Sequence, residues 1–185
     1  MTFPLVCFGD SITRGYLVPG NRSFPALLER YLGMPVLNAG VDGDTSRNAL
    51  HRLKRAVLRY QPAVVTVEFG ANDARQGISP AELEQNLETI VREIERHGAV
   101  SVLLSLGLKE MSNHESAYFR AADRTNSPLI PNLLDGLTGS SYYTFDGIHP
   151  TTHGYEVIAR RIFEFFRAQT TLVKALRCAY PAIAL

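Results

Sequence analysis

The chain has 185 residues, 45% of them hydrophobic and 20% charged, with a formal net charge of +1. Such a length is expected to fold as a single domain, residues 1–185, whose core needs no disulfide or metal staple. The near-neutral charge removes the electrostatic case for nucleic acid or an anionic membrane as partner. No stretch approaches the roughly 18 apolar residues of a membrane span.

The N-terminus, MTFPLVCFGD, has no basic n-region and only a short apolar run. It therefore does not read as a signal peptide, and the expectation is a cytoplasmic chain or the mature form of an exported one. Leu5 to Phe8 is the first strand candidate, and Cys7 inside it reads as a small buried hydrophobe. Phe24 to Leu32 places apolar residues at 24, 27, 28, 31 and 32, a helical spacing. Pro35 to Leu37 is a second short strand. Asp44 to Tyr60 is amphipathic, with Leu50, Leu53, Val57 and Leu58 apolar among arginines. AVVTVEF, 63–69, is rich in β-branched residues, as a strand buried on both faces should be. Ser79-Pro80 opens a helix with proline at its first position, and that helix runs to about His97, where Gly98 stops it. VSVLLSL, 100–106, is another buried strand. Residues 107–126 read as a loop with a helical piece, 127–132 as a weak strand and 152–167 as a last amphipathic helix, while the tail 168–185 is apolar with no structure assigned.

Strands alternating with helices predict an α/β fold, a parallel sheet with helices on both faces. In such sheets ligands bind beyond the carboxyl ends of the strands, so the residues after each apolar run carry the function. After the first strand comes Gly9-Asp10-Ser11, after the second Asn38 to Ser46 (NAGVDGDTS), and after the third Gly70-Ala71-Asn72-Asp73. Before the last helix comes Asp146-Gly147-Ile148-His149. Taken singly, each fragment has an ordinary structural explanation. Ser11 can be an N-cap, and Asn72-Asp73 a turn pair. The glycine-rich segment can be a loop with Asp44 capping the next helix, or a phosphate-cradling turn. Asp146 to His149 can be a surface turn before Pro150.

Together they form the part list for acyl transfer. A serine hydroxyl needs an adjacent base, which His149 can be; the imidazole needs an acceptor on its other nitrogen, which Asp146 can be. The tetrahedral intermediate needs donors, and the backbone N–H groups of Ser11 and Gly43 with the Asn72 amide can supply three. His149 and His153 stand four apart and invite a metal reading with Asp146. Pro150 lies between them, however, and no third ligand sits at a ligating offset, so catalysis without metal or cofactor is expected. His51 and His97 fall in helices and read as solvated, and His114 has no assigned role.

In this order, the four segments resemble the blocks of the SGNH hydrolases, the GDSL lipase/esterase family. The resemblance runs from about residue 4 to 166. It implies Ser11 as nucleophile, Gly43 rather than Gly40 as the oxyanion glycine, Asn72 as the amide donor, and Asp146 and His149 as the remaining pair. GDTS, VEFGANDAR and DGIHP are closest to the bacterial acyl-CoA thioesterase/lysophospholipase and arylesterase branch. Ala71 departs from a glycine often found there, and 107–126 departs throughout, in the region that helps shape the family's acyl pocket. The resemblance further implies a flavodoxin-like three-layer sandwich of five parallel strands ordered 2-1-3-4-5, acting on a small-molecule ester or thioester. Two rivals are a carbohydrate O-acetylesterase of the same family, for which no tryptophan offers a sugar platform, and a non-catalytic phosphate- or nucleotide-binding module of the same topology, which would leave Asp146 and His149 unexplained.

Overall fold

β1 (Leu5–Gly9) is buried at every position, and burial on both faces is what a continuous apolar run in a parallel sheet requires. In the computed structural model, which describes residues 3–108 and 111–185, β1 lies inside the sheet with β2 (Val36–Gly40) on one side and β3 (Val64–Glu68) on the other. β4 (Val100–Leu104) and the two-residue β5 (Leu129–Ile130) complete a five-stranded, all-parallel sheet in the order β2-β1-β3-β4-β5. The expected α/β three-layer architecture and strand order are thus present.

Alternation along β1 divides the core. Leu5 and Cys7 face one layer, with α2 (Phe24–Leu32), α7 (Thr152–Ala168) and α8 (Thr170–Ala179). Val6 and Phe8 face the other, with α3 (Ser46–Ala56), α5 (Pro80–Arg96) and α6 (Ser112–Thr125). β3 departs from this pattern on the α7 side, where Thr66 and Glu68 are polar and fully buried. The register pairs Gly9 with Gly40 and with Glu68, so the three strands end level and their following loops leave from one edge. β1 and β3 form the switch point of the winding, the usual position for a site in such sheets.

Several boundaries move. β2 extends through Gly40, so Asn38, Ala39 and Gly40 belong to the strand instead of following it. Asp44 does not cap α3: Thr45 does, through a capping box with Asn48. The helix then stops at Ala56, and Leu58–Tyr60 tightens into a 3-10 turn. The 107–126 stretch carries a full 14-residue helix, α6, larger than the expected helical piece; residues 109 and 110 lie outside the described residues. The tail, apolar with no structure assigned from the sequence, forms α8, which docks Leu172 and Leu176 into the core. Among the described residues no helix is long and apolar enough to cross a membrane.

Candidate active site

The turn after β1 is shaped by close approach. Gly9 has room for no side chain, because a Cβ there would meet the Thr13 hydroxyl and lie 2.8 Å from Glu68 Oε2. The chain then enters the short helix α1 (Ser11–Arg14), whose N-cap is Asp10: its Oδ1 accepts the Ile12 N–H at 2.9 Å. The simple reading of Ser11 as the N-cap is therefore corrected. Its hydroxyl turns instead to His149, with Oγ 3.1 Å from Nε2.

His149 reaches Ser11 from the far end of the sequence on a closed loop. Thr144 bridges to Pro150, and Phe145 N–H donates to the His149 carbonyl at 2.9 Å. Gly147 makes the turn with φ of +87°, a conformation that favours glycine. Within the loop Asp146 Oδ1 accepts the Ile148 and His149 N–H groups at 3.1 and 2.8 Å, while Oδ2 lies 2.7 Å from His149 Nδ1. A carboxylate only accepts, so Nδ1 carries the ring proton and Nε2 is left as acceptor for the Ser11 hydroxyl. Burial, slight as it is, opposes ionisation of Asp146. The bonds from the His149 ring and the two backbone N–H groups outweigh it and bring the carboxyl down to about 2.

The loop after β2 brings Gly43 to the same edge with φ of +76° and open space where a Cβ would stand. Arg52 on α3 anchors this loop. Its guanidinium holds the Asp44 carboxylate, donates to the Ala39 and Gly9 carbonyls at 2.8 and 2.9 Å, and lies 4.4 Å over the Phe8 ring. One planar fork thus ties β1, β2 and the Gly43 loop together. The N–H groups of Ser11 and Gly43 have no hydrogen-bond partner among the described residues.

Asn72, on the short helix α4 (Ala71–Arg75), stands beside both segments. Its Nδ2 donates to Asp10 Oδ2 at 2.9 Å and to the Asp44 carbonyl at 3.0 Å. Both amide hydrogens are engaged, so donation to an oxyanion requires one of these bonds to be shared or given up. Asp73 is buried and holds the start of α3, accepting the Ser46 N–H at 3.0 Å and the Ser46 hydroxyl. The pair thus joins the Gly43 loop to the turn after β1.

All five residues singled out in the sequence, Ser11, Gly43, Asn72, Asp146 and His149, come to one sheet edge. His153 does not join them and stacks on Tyr142 at 4.3 Å between ring centroids. His51 and His97 are exposed as expected, and His114 on α6 donates from Nε2 to the Ile78 carbonyl at 2.8 Å. Sequence reasoning missed Asp10, Glu68 and Arg52 as members of the surroundings. For Arg52 a signal existed, a charged residue at an inward-facing position of an otherwise apolar period.

Exposed apolar side chains rim the edge: Tyr16, whose ring centroid is 4.9 Å from that of His149, and Leu17, Phe145 and Ile148. Leu17 holds φ of +67°, a strained backbone for a leucine. Beside Asp146 opens a cavity of about 540 Å³ with Leu108, Met111 and Ile148 in its wall. A groove of about 570 Å³ along α7 contains none of the five site residues.

Residues 7–157 match the profile of the GDSL-like Lipase/Acylhydrolase family. The chain is similar to Esterase TesA of Pseudomonas aeruginosa, 32% identical over 158 residues that cover 79% of each chain. It is also similar to Thioesterase 1/protease 1/lysophospholipase L1 of Escherichia coli, 30% identical over 84% of this chain and 79% of that one. A crystal structure of TesA superposes with a TM-score of 0.83 at 28% identity, over 89% of this chain and 98% of the other. These likenesses set aside the reading of a non-catalytic phosphate-binding module. The chain belongs to the GDSL-like lipase/acylhydrolase family, the SGNH hydrolases, and is a carboxylic ester hydrolase.

Proposed function

We propose that the protein hydrolyses acyl esters or thioesters through a covalent acyl-enzyme on Ser11, with His149 as general base and acid, Asp146 as its partner, and the Ser11 N–H, Gly43 N–H and Asn72 amide as oxyanion donors. The observation that carries this reading is the continuous line Ser11 Oγ–His149 Nε2, 3.1 Å, and His149 Nδ1–Asp146 Oδ2, 2.7 Å. As Oγ attacks the acyl carbon, its proton passes to Nε2. The imidazolium that forms is stabilised by the ionised Asp146 and then protonates the departing alcohol or thiol. A water, deprotonated by His149, releases the acid and returns Ser11. No metal or cofactor enters these steps.

The apolar rim of Tyr16, Leu17, Phe145 and Ile148 supports an acyl substrate, because such side chains remove an alkyl chain from water. The names of the two relatives, an esterase and a thioesterase/lysophospholipase, support the ester-or-thioester class.

A shared acyl-enzyme has a kinetic consequence. Aryl, alkyl and thiol esters of one carboxylic acid must all pass through the same intermediate. In aqueous methanol the ratio of methyl ester to free acid is therefore expected to be identical for every leaving group. A ratio that changes with the leaving group would mean direct attack by water and no covalent step.

A further inference from the structure

Glu68 has no part in the acyl-transfer scheme, yet it is fully buried directly behind the turn that carries Ser11. It ends β3 opposite Gly9. Its Oε2 accepts the Thr13 hydroxyl at 2.9 Å and the Asp10 N–H at 3.4 Å, while no donor among the described residues reaches the buried Oε1. Asp10 is equally buried. One of its oxygens takes the Ile12 N–H and the other takes the Asn72 amide, each at 2.9 Å. A valine would occupy that strand position without the cost of burying a carboxyl.

We propose that Glu68 is a positioning residue for ester hydrolysis: buried against the back of the turn it fixes Asp10, and Asp10 in turn fixes the Asn72 amide. The proposal rests on the reading of Ser11 as nucleophile and Asn72 as oxyanion donor.

Two carboxyls this close and this buried cannot both be ionised, and they hold one proton between them. Burial drives Glu68 well above the usual carboxylate range, and the charge on Asp10 drives it further. Burial also raises Asp10, to about 6, but the Ile12 N–H and Glu68 as hydrogen-bond donor favour its anion, against Asp73. The other titratable neighbours are Cys7, Tyr118 and Tyr155, all pushed up by burial and all neutral. The shared proton therefore resides on Glu68, and the negative charge on Asp10, where it can accept from Asn72.

The test compares wild type with Glu68→Gln, which keeps the shape and a neutral donor, and Glu68→Met, which keeps only the stem. Active sites are counted by fluorophosphonate labelling of Ser11, so that kcat refers to folded enzyme. Absence of that labelling in wild type would sink the Ser11 reading itself, a failure separate from this one. Glu68→Met is expected to lower kcat per labelled site by on the order of 10-fold or more, through the misplaced oxyanion donor. KM should stay unchanged and the acid limb of the kcat profile should move to higher pH, because Asp10 loses a donor. Glu68→Gln is expected to restore both kcat and the limb. His149 is common to all three proteins, so the displacement between variants belongs to Asp10.

Stability gives a second readout, independent of turnover. Unfolded Glu68 gives up its proton near its ordinary value of 4.5, whereas the folded state keeps it. Wild type therefore loses the Glu68 contribution to stability as pH rises above that value, and Glu68→Gln has no such contribution to lose. The Tm of Glu68→Gln minus that of wild type is expected to grow between pH 5 and pH 9. Wild-type kcat per site and an unmoved limb in Glu68→Met would overturn the proposal. So would a Tm difference independent of pH in Glu68→Gln, which decides the matter even if the Met variant fails to fold.

Discussion

Ser11→Ala is expected to lower kcat for ester hydrolysis by about 10⁴-fold or more while the protein folds normally. The size follows from the nucleophilic role proposed for Ser11. Without Oγ there is no acyl-enzyme, and only substrate binding and the oxyanion donors remain to accelerate attack by water. The small effect on stability follows from the cap. Asp10, not Ser11, accepts the free Ile12 N–H at the start of α1, so the substitution removes one hydrogen bond to His149, worth about 1 kcal/mol. Were Ser11 only a structural group of the turn, turnover would survive and the loss would be confined to stability. Activity and thermal midpoint of the purified variant separate the two cases.

Asn72→Ala is expected to lower kcat by about 10²-fold or more, with KM nearly unchanged. A donor that strengthens only as charge develops on the acyl oxygen lowers the barrier without tightening the ground state. The structure adds a second effect. The Asn72 amide also bridges Asp10 Oδ2 and the Asp44 carbonyl, so its removal leaves two buried acceptors unpaired and costs about 1–3 kcal/mol of stability. Steady-state kinetics and chemical denaturation of one sample measure both. A raised KM with kcat intact would make Asn72 a substrate-binding group and remove it from the oxyanion hole.

What was legible in the sequence was whatever local pattern alone determines. β1, β3 and β4 are buried on both faces; β1 reads as an unbroken apolar run, and β3 and β4 as apolar runs interrupted by Thr66, Glu68 and Ser101. α2 and α5 carry a full helical period, and α5 is marked further by Ser79, whose hydroxyl caps the Glu82 N–H, and by Pro80 at the first position. Once the sheet was recognised, the rule that loops leave from one edge gathered Ser11, Gly43, Asn72, Asp146 and His149 without any knowledge of distance. Tertiary packing decided the remainder. Asn38, Ala39 and Gly40 have poor strand propensity but pair with β1 because their partner is already fixed. α8 is ordered by docking Leu172 and Leu176 against the α7 layer, and nothing in its own residues announces that contact. The cap of α3 fell to Thr45 because the Asp44 carboxylate is taken by Arg52. Arg52 reaches across the ends of two strands to Gly9 and Ala39, a connection that exists only in the folded sheet. Glu68 is the clearest instance. In VVTVEF it reads as the polar end of a strand, and only the approach of Asp10 and Thr13 makes it part of the site.

Acylation of Ser11 with the help of His149, as proposed, is open to covalent trapping. Wild type, Ser11→Ala and His149→Ala are treated with an aryl fluorophosphonate, and the adduct is located by peptide mass spectrometry. One adduct per chain is expected, on Ser11, formed in step with loss of activity. No adduct is expected in Ser11→Ala, and labelling should slow by about 10²-fold or more in His149→Ala, where the proposed general base is gone. An enzyme inactivated by an adduct on another residue, or one that hydrolyses esters at full rate with Ser11 modified, would contradict it.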